Sequence, residues 1–135
     1  MHVFVGTRGD SIHCFQLELH SGSLISVQRI EGLQCPSFVL VTSSLPDLQR
    51  SRKENGRRHR LFAAVRDTEE RRMPAEWSAV QTFAVDVASG RLSHLGCEIP
   101  TGSVSPCHLA LMGGGGQQQM ALLVAHFAGG AVSML

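Results

Sequence analysis

The sequence repeats itself, and that limits the fold more than any other feature. Residues Ile12–Leu40 read IHCFQLELHSGSLISVQRIEGLQCPSFVL, and Val80–Leu111 read VQTFAVDVASGRLSHLGCEIPTGSVSPCHLAL. Phe15 meets Phe83, Ser21-Gly22 meets Ser89-Gly90 and Leu24 meets Leu92 at a shift of 68 residues; Pro36 meets Pro106 at a shift of 70. A shorter pattern occurs three times: VFVGT before SIHCF, LFAAV before AVQTF, and LLVAHF before AVSML. Such self-similarity marks a tandem array, in which one small unit covers its apolar face by stacking on its copies.

The unit is β. Ile12 to Leu19 alternates apolar and polar residues in its second half, as a strand with one buried face should, and Val80, Phe83, Val85 and Val87 are read the same way. Ser21-Gly22 and Ser89-Gly90 supply tight turns in which glycine takes positive φ. Leu24–Ile30 and Leu92–Ile99 are the returning strands, and Pro36 and Pro106 each precede another short apolar run, Ser37–Val41 and Cys107–Leu111. No useful 3.6-residue helical pattern occurs. Four short strands per unit, joined by turns, is the layout of a propeller blade, so the expected fold class is all-β: a partial β-propeller of roughly two and a half four-stranded blades. Inserts are expected at 43–60 (basic), 67–76 (mixed charge) and 113–119 (glycine and glutamine), hung as variable loops on a fixed frame.

Composition agrees with one packed domain. The chain has 135 residues, 43% hydrophobic and 17% charged, enough apolar side chain for a core and too little charge for disorder. A net charge of +1 exerts no general pull on nucleic acid or anionic membrane, and no apolar run is long enough for a membrane helix. The start, Met1 to Gly6, lacks the basic and apolar regions of a signal peptide, so a cytoplasmic location is expected. Cys14, Cys35, Cys97 and Cys107 have neither zinc-finger nor C-x-x-C spacing; they are read as mostly buried apolar side chains, with no metal and no cofactor.

The order VFVGT, SIHCFQLELHSGSL, CPSFVLV, AVQTFAVDVASGRL, PCHLAL, LLVAHFAGGAVSML resembles the lactonase-type seven-bladed propellers, which include bacterial 6-phosphogluconolactonase and carboxymuconate-cycloisomerase-like proteins. The resemblance covers nearly all of the chain outside the inserts. It implies hydrolysis of a small-molecule sugar-acid lactone in the pentose phosphate route, without a metal. Two family asparagines are replaced here, by Cys35 and by His126. The resemblance also implies a closing strand and a histidine-rich segment beyond Leu135, so residues 1–135 are expected to be the N-terminal part of such a propeller. A chain ending at Leu135 would leave blade faces uncovered and is expected to self-associate.

If the strand after each proline is the inner one, one face collects Thr7 to Asp10, Pro36-Ser37, Arg66-Asp67, Pro106 to His108 and His126-Phe127. His108 is the candidate catalytic residue, as general base on water or donor to the lactone carbonyl. Arg66, Arg8 and His126 are the candidate substrate-binding residues: a guanidinium matches carboxylate or phosphate bidentately, and His126 keeps a polar group where the resemblance implies asparagine. Each has a plainer reading as a structural histidine or a solvated arginine. Ser37 and Cys107 lack a nucleophile's context, and there is no G-x-S-x-G elbow. Arg8-Gly9-Asp10 is read as a blade turn, and the glycines at 113–116 lack the lysine and hydroxyl of a phosphate loop. The basic insert has no aromatic residue to stack on a base, so nucleic acid is not an expected partner. The alternative to an enzyme is a non-catalytic propeller module for protein–protein interaction.

Overall fold

The computed structural model describes residues 1–45, 58–65, 78–113 and 120–135. They form ten antiparallel strands and no helix: β1 (His2–Gly6), β2 (Ile12–Leu17), β3 (Leu24–Ile30), β4 (Phe38–Leu45), β5 (Arg58–Val65), β6 (Ala79–Val85), β7 (Leu92–Pro100), β8 (Pro106–Gly113), β9 (Met120–His126) and β10 (Ala131–Met134). They pair into three sheets, β1-β2-β3, β4-β5-β6-β7 and β8-β9-β10. The middle sheet is a complete four-stranded blade, and the flanking sheets hold three strands each. Registers align the units: Val3↔Phe15 in the first sheet corresponds to Leu61↔Phe83 in the second, and Ala64↔Val80 in the second corresponds to Ala125↔Val132 in the third.

The three blades stack through two cores. Ile12, Cys14, Leu33, Leu61, Ala63, Val65, Ala79, Phe83 and Leu92 fill the space between the first and second blades. Phe62, Ala64, Val80, Leu109, Leu122 and Val124 fill that between the second and third. Val80 and Phe83 therefore lie on opposite faces of β6, which corrects the expectation of a single buried face. A middle blade has a neighbour on each side, so both of its faces are apolar. Gln28 of β3 ties the first blade to the second: its Nε2 donates to the Leu92 carbonyl (3.2 Å) and its Oε1 accepts from the Leu92 amide (2.8 Å), as a strand partner would.

Two boundaries differ from the sequence expectation. The basic insert is shorter than 43–60, because β4 runs to Leu45 and β5 begins at Arg58, with Thr42 opposite Arg60. Gly113 likewise ends β8 instead of opening a loop. Arg50, Arg52, Lys53 and Arg57, and the insert at 67–76, lie outside the described residues. The cysteines also divide: Cys14 and Cys35 are buried thiols, whereas Cys97 and Cys107 are exposed, the latter at the bulge that opens β8. Burial pushes the Cys14 thiol up to about 11, with the Arg91 charge offsetting part of that rise. Cys14 is a core residue.

Candidate functional site

The loops that the sequence assigns to one face are tied to one another. Gly6, at the end of β1, is packed so closely on Pro36 that a Cβ would fall on the Pro36 carbonyl oxygen. The Leu33 amide donates to the Asp10 carbonyl, and Thr7 Oγ1 donates to the Ser11 carbonyl, so the Arg8-Gly9-Asp10 tripeptide is a blade turn held against the connection from β3 to β4. On the other side the Phe127 amide donates to the Ser105 carbonyl, linking the β9–β10 turn to the connection from β7 to β8.

Both connections enter their strands by the same backbone device. Gly32 and Gly102 have φ of 79° and 70°, and Cys35 and Ser105, each directly before a proline, have φ of 43° and 55°. That left-handed region is entered by asparagine far more readily than by most other side chains. The asparagine that the resemblance implies at the place of Cys35 would meet the same backbone requirement. The requirement is backbone geometry, and it recurs at Ser105.

His108, the third residue of β8, is exposed, and its ring centroid lies 4.4 Å from that of Phe38, tilted by 50°. Phe38 is the residue 70 positions earlier, so the same place in two successive units is in contact across two successive blades. This contact sets β4 beside β8, the neighbouring positions expected of inner strands. Phe38 was not singled out from the sequence, although the 70-residue shift that aligns Pro36 with Pro106 also aligns it with His108.

His126 has a different setting. It is 4% exposed, and its Nε2 lies 3.0 Å from Ser133 Oγ, which in turn donates to the Thr101 carbonyl at 2.6 Å. Since the serine proton is spent on Thr101, His126 Nε2 is the donor in this pair. Nδ1 is buried without a partner. Thr101 itself, buried, is bonded to the Ser78 carbonyl through both its amide (2.9 Å) and its hydroxyl (3.0 Å). His126 thus closes the junction between the second and third blades.

His108 and His126 are near neighbours across the β8–β9 ladder, in which His108 pairs with Ala125 and Pro106 with His126. One is exposed and the other buried. Arg8 is exposed in the β1–β2 loop, and among the described residues no ion pair or hydrogen bond joins it to either histidine. Arg66 lies outside the described residues. Asp10, in the Arg8 turn, is already engaged: Arg29 sits 3.7 Å from Asp10 and 3.1 Å from Glu31, exposed pairs that contribute little to stability. Among the described residues no group of three or more histidine, cysteine, aspartate or glutamate side chains is placed to hold a metal.

A cleft of about 680 Å³ opens at the junction of the first and second blades, lined by Gly32, Gln34, Val65, Ala79, Gln81, Glu98 and Pro100. Of the residues proposed from the sequence, Arg8, His108 and His126 do not line it. Its signal in the sequence is Gln81, a polar residue in the row Ala79, Gln81, Phe83 that faces the first core.

No protein-family model matches the chain, and no curated protein matches it. Among solved structures it is similar to the crystal structure of a "putative 6-phosphogluconolactonase" from Bacteroides uniformis ATCC 8492, at 22% sequence identity with a TM-score of 0.65. The match covers 98% of this chain and 32% of that one, so the chain spans about a third of the length of that relative. At this identity the likeness establishes the fold alone: an all-β, propeller-like stack of three antiparallel sheets in order along the chain.

Proposed function

We propose that these residues are the N-terminal part of a 6-phosphogluconolactonase-like hydrolase that opens a sugar-acid lactone. The observation that carries this reading is the fold likeness along almost the entire chain, and an exposed imidazole at the mouth of an inner strand agrees with it. In the reaction a water oxygen attacks the ester carbonyl carbon and forms a tetrahedral oxyanion. The carbonyl carbon then parts from the ring oxygen, giving a free acid and a hydroxyl. His108 is assigned the proton: one ring nitrogen takes it from the attacking water and returns it to the departing alkoxide. Phe38 gives the imidazole an apolar wall against which to hold its orientation. Arg8 and Arg66 are assigned to the substrate's phosphate or carboxylate, and His126 to the framing of the site through Ser133 and Thr101.

The test is hydrolysis of 6-phosphogluconolactone against its spontaneous rate. His108→Ala is expected to lower kcat by roughly 10²- to 10⁴-fold, the usual contribution of a positioned general base. Arg8→Ala is expected to raise KM with little change in kcat, as for uniform substrate binding. A wild-type rate no greater than the spontaneous one would sink the enzymatic reading and leave a non-catalytic propeller module.

A further inference from the structure

The two blade junctions are built from the same positions and end differently. Strand registers equate Val65 with His126, Ala79 with Ala131 and Gln81 with Ser133: Val65 pairs with Ala79 as His126 pairs with Ala131. The connections correspond as well, Gly32 with Gly102 and Gln34 with Val104, at the 70-residue shift. At the second junction His126 fills the space and bonds Ser133, which bonds Thr101. At the first junction the smaller Val65 leaves that space open, and the result is the cleft of about 680 Å³. Gln81, in the place of Ser133, has its Oε1 buried with no donor to meet it. A buried acceptor left without a donor is costly, and a cleft beside it is where a ligand would supply one.

We propose that the first junction is a binding site for a neutral, polyhydroxylated ligand of monosaccharide size. The lining sets the class. Gln81 Oε1 needs a hydrogen-bond donor, and Glu98, directly opposite Gln81 in the β6–β7 pairing, offers two more acceptor oxygens. Gln34 contributes an amide, which both donates and accepts. Val65, Ala79 and Pro100 present an apolar floor of the kind that covers the C–H face of a sugar ring. Among the described residues no lysine or arginine lines the cleft and one carboxylate does, so a phosphorylated or carboxylated ligand is opposed by charge there. The volume lies within the usual few hundred to one thousand Å³ or so of small-molecule sites. The site shares no residue with the lactonase assignment and stands or falls apart from it.

The experiment is heteronuclear NMR of the full chain, titrated with methyl β-D-glucopyranoside and with myo-inositol, and with glucose 6-phosphate as the anionic comparison. Saturable shifts are expected at the Gly32 amide and at the side-chain amides of Gln34 and Gln81 with at least one neutral probe, and weaker binding of the phosphate. Gln81→Leu is expected to weaken binding about three- to tenfold, the loss of one ordinary hydrogen bond. Val65→His/Gln81→Ser, which copies the closure of the second junction, is expected to abolish it, and this variant decides the matter if Gln81→Leu does not fold. Absence of saturable shifts with both neutral probes, undiminished binding in these variants, or equal binding of glucose 6-phosphate would overturn the proposal.

Discussion

The β2–β3 and β6–β7 hairpins turn on the same atoms. In the first, the Gly22 amide donates to the Glu18 carbonyl (2.8 Å), the Glu18 amide to the Ser23 carbonyl (2.9 Å), and Ser21 Oγ to the Glu18 carboxylate (2.8 Å). In the second, Gly90, Asp86, Arg91 and Ser89 repeat these bonds at 2.7, 2.9 and 2.8 Å. Both glycines have φ of 71°. Yet Gly22 opens onto empty space while Gly90 lies under the ring of His2, and Phe15 is half-buried while Phe83 is completely buried. Local sequence therefore specifies the turn, and the number of neighbouring blades specifies what a side chain near it contributes. Among the described residues the first blade is covered on one face and the second on both.

The sharpest way to break this comparison is at the paired phenylalanines. Phe83→Ala is expected to cost about 3–5 kcal/mol, because a fully enclosed ring leaves a cavity that strands held on both sides cannot close. Phe15→Ala is expected to cost no more than about half of that, since part of its ring is already in water. Urea unfolding midpoints at unchanged slope would measure both. Equal losses would show that the first blade is as well covered as the second. Phe83→Leu keeps most of the volume and supplies the ranking if Phe83→Ala does not fold.

The glycines sharpen it further. A side chain at φ of 71° costs about 1–2 kcal/mol in either turn. At Gly90 the new Cβ must also displace His2, so Gly90→Ala is expected to be the more destabilising of the two. In a His2→Ala background the two costs should converge, and thermal unfolding of the four single and double variants would measure that coupling. A difference that survives removal of His2 would place its origin in the turn itself.

These pairs also show what the sequence could reveal. Strands and turns were legible because alternation and Ser-Gly are local signals, repeated at a fixed shift. The double burial of β6 was not, because a strand whose faces belong to two different cores has no single alternating pattern. Left-handed Cys35 and Ser105 were hidden for another reason: neither residue type announces positive φ, and only their shared place before a proline equates them. At the candidate site, the position of His108 followed from the repeat, and its contact with Phe38 followed from the same register once blades were stacked. The burial of His126 did not follow, since it depends on Ser133 and Thr101, seven residues later and 25 earlier. The open junction at Gln81 is visible only by setting one blade boundary against the other.

The smallest expected difference lies in the acidic residues of the two turns. Asp86 is held below the ordinary carboxylate range, first by the Ser89 hydroxyl and then by the Ala88 amide, which donates to Oδ1 at 2.9 Å. Glu18 receives the corresponding serine bond, but one more methylene carries its carboxylate beyond the turn, and among the described residues no backbone amide donates to it. A folded carboxyl that binds its proton less readily than the unfolded one stabilises the protein above the unfolded value, about 3.9, and that contribution is lost as pH falls through the folded value. Because Asp86 is fully exposed, the effect is slight. Ser89→Ala removes the largest cause and brings the folded carboxyl back toward its unfolded behaviour. The fall in unfolding midpoint between about pH 5 and pH 2 should then be shallower than in the wild type. Asp86→Asn should flatten the same limb, and adding Ser89→Ala to it should change the slope no further. If the two slopes add instead, the serine acts on acid stability through some group other than Asp86, and the turn chemistry that the two blades share does not govern their response to pH.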